Sequence, residues 1–176
     1  MKVTSGIRKG AILEASHDLS VRPTTDKVKQ SVFNMIQFEI PGRCVLDLFA
    51  GSGAMGIEAL SRGACHCTFV DINPEFVRKN IKKLRFEEIS EIVRSDYLAF
   101  LEKNNRQFDL VFLDPPYEQH MIDFALQSLA ERRLLREGAI VVWECDEKEV
   151  IRVPETIEIM KERTFGRIQI RIGVQK

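Results

Sequence analysis

The sequence predicts an α/β protein built on a doubly wound, mostly parallel sheet that ends in an antiparallel hairpin. Three observations carry that prediction. Apolar runs of strand length recur along residues 44–145, and each but the last is followed by a stretch with helical spacing. A glycine turn, "AGSGAMG" at residues 50–56, joins the first run to its helix. Residues 155–175 then abandon the alternation for a period of two, the signature of half-covered strands.

Each element has its own justification. "KVTSGIRKGAIL" (2–13) is extended and turned by glycine, and "RPTTD" (22–26) is a turn. "KVKQSVFNMIQF" (27–38) places Val28, Val32, Met35 and Ile36 on one helical face, with Thr25 or Asp26 as its cap. "CVLDLFA" (44–50) is the first strand, and the helix after it carries Ile57, Leu60 and Ala64 and stops at Gly63. "HCTFVDI" (66–72) is the second strand, and Pro74 opens the helix "EFVRKNIKKLRF". "EIVRSD" (91–96) starts a third strand that yields to "YLAFLEK", and "FDLVFLD" (108–114) is the fourth. A helix is expected from about Ile122 to Leu135, then a fifth strand, "GAIVVWEC" (138–145). In "RIQIRIGV" the apolar Ile168, Ile170, Ile172 and Val174 alternate with Arg167, Gln169 and Arg171, so two strands close the chain as a hairpin.

A chain of 176 residues is about one domain, large enough to bury roughly 70% of the surface it exposes when unfolded. No apolar run approaches the ~20 residues that span a bilayer, and the first residues hold no apolar h-region, so a cytoplasmic protein without membrane contact is expected. Cys44, Cys65, Cys67 and Cys145 lie in or beside apolar runs and are expected to be reduced and buried. "CHC" at 65–67 lacks metal-ligand spacing, and no metal is expected. Net charge is zero but uneven: residues 1–29 hold six Lys/Arg against three acids and residues 161–176 hold five against one. Basic ends of this kind offer a face for phosphates.

Gly51, Gly53 and Gly56 spell G-x-G-x-x-G, with Asp71 twenty residues past the first, which taken alone is a dinucleotide fingerprint. Asp47 argues otherwise. It sits in the strand feeding the loop, where an acid would repel a pyrophosphate but favour the ammonium and sulfonium of S-adenosyl-L-methionine. On this reading Gly51 and Gly53 admit the methionine and ribose portion, Asp71 accepts from the ribose hydroxyls, Asp96 meets the adenine amino group, and Tyr97 forms a wall beside it. "DPPY" (114–117) follows the fourth strand, at the carboxyl edge where such sheets bind ligands. Asp114 and the Pro115 carbonyl can accept from a planar exocyclic amine, Pro115 and Pro116 stiffen the loop, and Tyr117 offers a face to an extruded base.

"DLFAGSG", "FVDINP" and "LDPPY" together resemble the class I S-adenosylmethionine-dependent amino methyltransferases. "VRPTTDKVKQSVFNMI", with "GIRKGAIL" before it, narrows the resemblance to the RsmD family of bacterial 16S ribosomal RNA guanine-N2 methyltransferases. The resemblance implies a Rossmann-like, seven-stranded methyltransferase sheet over residues 41–176, and a hairpin-and-helix extension over residues 1–40 that contacts RNA. It adds Phe49, Ala50, Ser52, Ile72 and Asn73 to the cofactor site, and implies Arg8, Lys9, Arg22, Thr24, Thr25, Lys27 and Lys29 as RNA contacts. The expected substrate is 16S rRNA or an assembling 30S subunit, met by a monomer. An adenine-N6 methyltransferase acting on RNA or DNA is the alternative within enzymes. Outside the methyltransferases stand a nicotinamide oxidoreductase and a catalytically silent RNA-binding module. Phe165–Gly166 stands where the family pattern leads one to expect Tyr-Gly.

Overall fold

Val45, Leu46 and Asp47 are all buried in the strand Cys44–Asp47, which is what a continuous apolar run becomes when helices cover both faces of a sheet. The computed structural model describes residues 1–16, 26–116 and 120–176. Seven strands follow in chain order: β1 Cys44–Asp47, β2 His66–Asp71, β3 Ser90–Arg94, β4 Phe108–Leu113, β5 Leu135–Asp146, β6 Ile157–Phe165 and β7 Ile168–Gln175. The helices are α1 Asp26–Met35, α2 Ala54–Ser61, α3 Glu75–Leu84, α4 Tyr97–Lys103 and α5 Met121–Glu131.

The strand order is β3-β2-β1-β4-β5-β7-β6, with β1 to β5 parallel and β7 antiparallel to both β5 and β6. The chain therefore walks outward from β1 to β3, returns to β4 on the other side of β1, and walks outward again. That reversal opens a crevice at the carboxyl ends of β1 and β4.

One face of the sheet is covered by α1, α2, α3 and the N-terminal segment, whose Val3, Leu13, Val32, Phe33 and Ile57 join Phe112 and Ile172 in one core. The other is covered by α4 and α5, where Leu101, Leu126 and Leu129 pack with Val111 and Trp143. Each large apolar side chain so buried contributes roughly 1.5–3 kcal/mol. Residues 2 and 12 pair as an antiparallel bridge, so the first segment doubles back on itself before reaching α1. No helix among the described residues is long and apolar enough to cross a membrane.

Two expectations need correction. The helix expected to reach Leu135 ends at Glu131, because Arg133 turns left-handed (φ 53°) and Leu134 and Leu135 bury into the sheet, where β5 already begins at Leu135. Cys67 and Cys145 are buried, but Cys44 is half-buried and Cys65 exposed, since Cys65 precedes β2 at the amino edge of the sheet. Their sulfur atoms lie 3.3 Å apart there. The cap expected of Thr25 lies outside the described residues, and Asp26 is the first residue of α1.

Candidate active site

Three glycines shape the turn after β1, each for its own reason. Gly51 (φ 53°) faces open space, so its backbone can be approached by a ligand. Gly53 (φ 79°) is left-handed, and a Cβ there would lie 2.7 Å from Val77 Cγ2. Gly56 lies inside α2 against the sheet, where a Cβ would come within 2.3 Å of the Phe69 ring. The third glycine therefore serves helix–sheet packing, and the first serves approach.

Carboxylates ring the crevice at the strand ends. Asp71, closing β2, accepts from Gly51 N–H at 2.7 Å through Oδ2 and from Asn73 N–H at 2.8 Å through Oδ1, which ties the glycine turn to the second strand. Asp96 lies just past β3 and caps α4, with Oδ1 accepting from Leu98 N–H (2.9 Å) and Ala99 N–H (3.3 Å). Its Oδ2 is left for another donor. Asp47 is only 3% exposed and accepts from Gly56 N–H at 2.9 Å. Burial, with smaller contributions from the charges of Asp114 and Asp71, raises its carboxyl to about 7 in spite of that bond. Tyr97 is buried with its ring 5.1 Å from that of Phe49, and Ile72 stands 69% exposed beside Asp71.

Asp114 and Pro115 are half-buried past the end of β4, and Pro116 is exposed. Asp47 is in register with Phe112, so Asp114 lies one pleat beyond the end of β1, facing the glycine turn across the switch point. A narrow cleft beside it is walled by Val32, Met55, Val142, Glu144 and Ile170. Glu144 was not singled out in the sequence. Its signal was present nonetheless, an acid at the carboxyl end of an apolar strand, as at positions 47 and 71. Tyr117 lies outside the described residues.

This donor set fits a cationic adenosyl ligand. Asp47, Asp71, Asp96, Asp114 and Glu144 at one sheet edge would repel a pyrophosphate and attract a sulfonium or ammonium, while the exposed Ile72 supplies an apolar surface for a base.

Among the RNA contacts implied by resemblance, Lys29 is a correction. Its side chain is fully buried, its Nζ lies 3.2 Å from Glu58 Oε2, and it donates to the Lys2 carbonyl, so no phosphate can reach it. The physical reason is Glu58 on α2, itself 0% exposed, which also accepts from Thr4 N–H (2.8 Å), Thr4 Oγ1 (2.7 Å), Ser5 N–H (3.0 Å) and Arg62 Nε (2.8 Å). Burial alone would raise this carboxyl, but Thr4, Lys29 and Arg62 outweigh it and hold it below its ordinary value. Lys9 and Lys27 are exposed. Arg8 is half-buried, its Nε donating to the Leu84 carbonyl at 2.8 Å and its guanidinium lying over the Phe86 ring. Arg22, Thr24 and Thr25 lie outside the described residues.

Fold and site together define a class I, Rossmann-like methyltransferase architecture, with the glycine turn and the D-P-P loop on opposite sides of the switch point. Residues 1–174 match the family described as conserved hypothetical protein 95, and the chain belongs to that family, the RsmD family of the sequence resemblance. YlbH of Bacillus subtilis (strain 168) is 41% identical, with 94% of each chain covered. Ribosomal RNA small subunit methyltransferase D of Haemophilus influenzae is 33% identical, over 98% of this chain and 92% of the relative. Among solved structures, yhhF of Escherichia coli superimposes with a TM-score of 0.89 at 26% identity, covering 100% of this chain and 98% of that one. An RNA methyltransferase from Salinibacter ruber in complex with S-adenosyl-L-homocysteine shares the fold, with a TM-score of 0.68 at 17% identity over 88% and 94% of the two chains.

Proposed function

We propose that the protein methylates small-subunit ribosomal RNA, transferring the methyl group of S-adenosylmethionine to the exocyclic N2 of a guanine. Methyl transfer to ribosomal RNA follows from membership of the family. The observation that supports it best is the pair of half-sites facing each other across β1 and β4, an acidic adenosyl-binding turn and a stiff loop of acceptors.

S-adenosylmethionine, when bound, supplies an activated methyl group, and the protein's part is to hold, orient and dry the reactants. Asp71 retains lone pairs for the ribose hydroxyls because each oxygen is spent on only one backbone N–H. Asp47, its carboxyl raised to about 7 by burial, would be held ionised by a cation bound beside it. Ile72, exposed beside Asp71, would offer the base an apolar surface. Asp114 and the Pro115 carbonyl accept the two amine hydrogens, which points the nitrogen lone pair along the crevice. With the cofactor supplying the methyl group to this nitrogen, a carboxylate of the loop would take up the proton that the amine gives up.

The extension with Lys9 and Lys27 exposed would meet the RNA backbone, on 16S rRNA or an assembling 30S particle in the cytoplasm, with the protein acting as a monomer. The test is tritiated methyl transfer to small-subunit RNA that lacks the modification, followed by nucleoside analysis. N2-methylguanosine is expected, and N6-methyladenosine would overturn the reading in favour of an adenine enzyme.

A further inference from the structure

Cys44 opens β1 opposite His66 of β2, so Cys65, one residue earlier, meets it where the two strands begin. Their sulfur atoms lie 3.3 Å apart, with Cys65 exposed and Cys44 half-buried. The backbone holds both in place. Cys65 N–H donates to the Arg43 carbonyl at 3.0 Å, and Cys44 N–H donates at 2.8 Å to Asp109 Oδ2, the oxygen that lies 3.0 Å from Arg136 Nη1. The pair stands at the amino end of β1, the far end from Asp47 and the glycine turn, so the methyl-transfer chemistry makes no use of it.

Two sulfurs at this distance are already in the range of roughly 3–3.5 Å from which reacting atoms attack one another. A disulfide needs them about 1.2 Å closer, a distance that rotation of two side chains can supply. Cys67 and Cys145 offer no such route. Cys67 is 0% exposed and burial pushes its thiol well above the ordinary value, while Cys145 is 3% exposed and burial raises its thiol to about 11. Neither presents a thiolate to a reagent in water.

We propose that Cys44 and Cys65 are a reactive dithiol, a modification site for low-molecular-weight disulfides at which Cys65 is the point of entry and Cys44 the resolving thiol. Cys65 loses its proton and attacks one sulfur of the reagent, whose S–S bond breaks, and the departing half takes up a proton as a thiol. Cys44 then loses its proton, attacks the Cys65 sulfur of the mixed disulfide and expels the second half as a thiol. Two protein thiols are oxidised to one disulfide, and one reagent disulfide is reduced to two thiols. The slight burial of Cys65, and then its contact with Cys44, hold its thiol above the ordinary value, which makes the first exchange the slow one. Ring closure follows fast because the second sulfur is already in place. The exposed sulfur is thus kept from remaining joined to a foreign thiol or to a second copy of the chain.

The test is oxidised glutathione applied to the folded protein, read by intact mass and by alkylation of the remaining thiols after unfolding. The wild type should lose two of its four thiols and the mass of two hydrogen atoms, keep no glutathione, and regain all four thiols with dithiothreitol. Cys44→Ser should stop with one glutathione attached at Cys65, and Cys44→Ala should do the same, so that the result does not hang on the folding of one variant. Cys65→Ser should react about 10-fold more slowly than the wild type, because the accessible sulfur is gone. A wild type that stays reduced, retains glutathione or links into dimers would overturn the inference, and so would a Cys65→Ser variant that reacts as fast as the wild type.

Discussion

Two clusters of acids in this protein obey the same electrostatics with opposite results. At the carboxyl edge of the sheet, Asp47 is buried beside Asp71 and Asp114, and its carboxyl is raised to about 7. At the junction of the extension with α2, Glu58 is equally buried but faces Lys29, Arg62 and the Thr4 amide, and its carboxyl is lowered. Burial raises both. What differs is the sign of the charged neighbours, acids around Asp47 and cations around Glu58. A buried acid whose charged neighbours are other acids suits a cationic ligand, and one matched by cations is a structural clamp.

The largest effect should come from breaking the clamp. Glu58→Ala strands the buried Lys29 ammonium and leaves the Thr4 and Ser5 N–H groups without their acceptor, so a loss of about 3–5 kcal/mol is expected in urea unfolding. A second substitution, Lys29→Met, should return part of that loss. If Glu58→Ala alone unfolded at the wild-type midpoint, the clamp would not hold the extension.

At the carboxyl edge the sign reverses. Because the folded Asp47 pKa is raised above its ordinary 3.8, the stability this group contributes is full below pH ~4 and is lost as pH rises through about 7. Asp47→Asn keeps an oxygen for Gly56 N–H but has nothing to titrate, so it should gain on the wild type between those limits, by up to about 4 kcal/mol. Unfolding curves at pH 4 and pH 8 would show it, and equal differences at the two pH values would refute it.

Asp71→Ala tests the same edge through ligand affinity. It releases Gly51 and Asn73 and, if Asp71 holds the ribose as proposed, removes the charge-assisted acceptors, so binding of S-adenosylmethionine should weaken by about 1.5–3 kcal/mol for each lost bond, as read by calorimetry.

Much of this contrast could be read in the sequence, and the unread part has a physical cause. The strands were legible because parallel strands covered on both faces are unbroken apolar runs, and the acids ending them stood out as interruptions. Lys29 was not legible. In "KVKQ" it looks like one more polar residue of an amphipathic helix, and its burial is made possible by Glu58 and the Lys2 carbonyl, both brought alongside by the fold. Glu144 escaped for another reason: it ends a strand just as Asp47 does, but no glycine turn or proline pair follows to mark it. Leu134 and Leu135 continue the spacing of α5, and periodicity alone does not separate the last turn of a helix from the start of a buried strand.

The smallest effect separates Lys27 from Lys29, two residues apart on α1. Lys27 is exposed and free to approach a phosphate, whereas Lys29 is enclosed by Glu58. If the extension holds RNA through its backbone, Lys27→Ala should reduce the log–log salt slope of binding to small-subunit RNA by roughly 0.7–0.9, the value of one phosphate contact. Lys9→Ala, on the exposed turn of the extension, should do the same. Lys29→Met should instead leave the slope unchanged in whatever fraction remains folded, because a charge already matched inside the protein releases no counterion when RNA binds. Filter binding across a salt series, with each variant's folded fraction taken from circular dichroism, distinguishes the two lysines. A slope that fell equally for both would mean that the clamp opens on RNA and that its lysine changes partner.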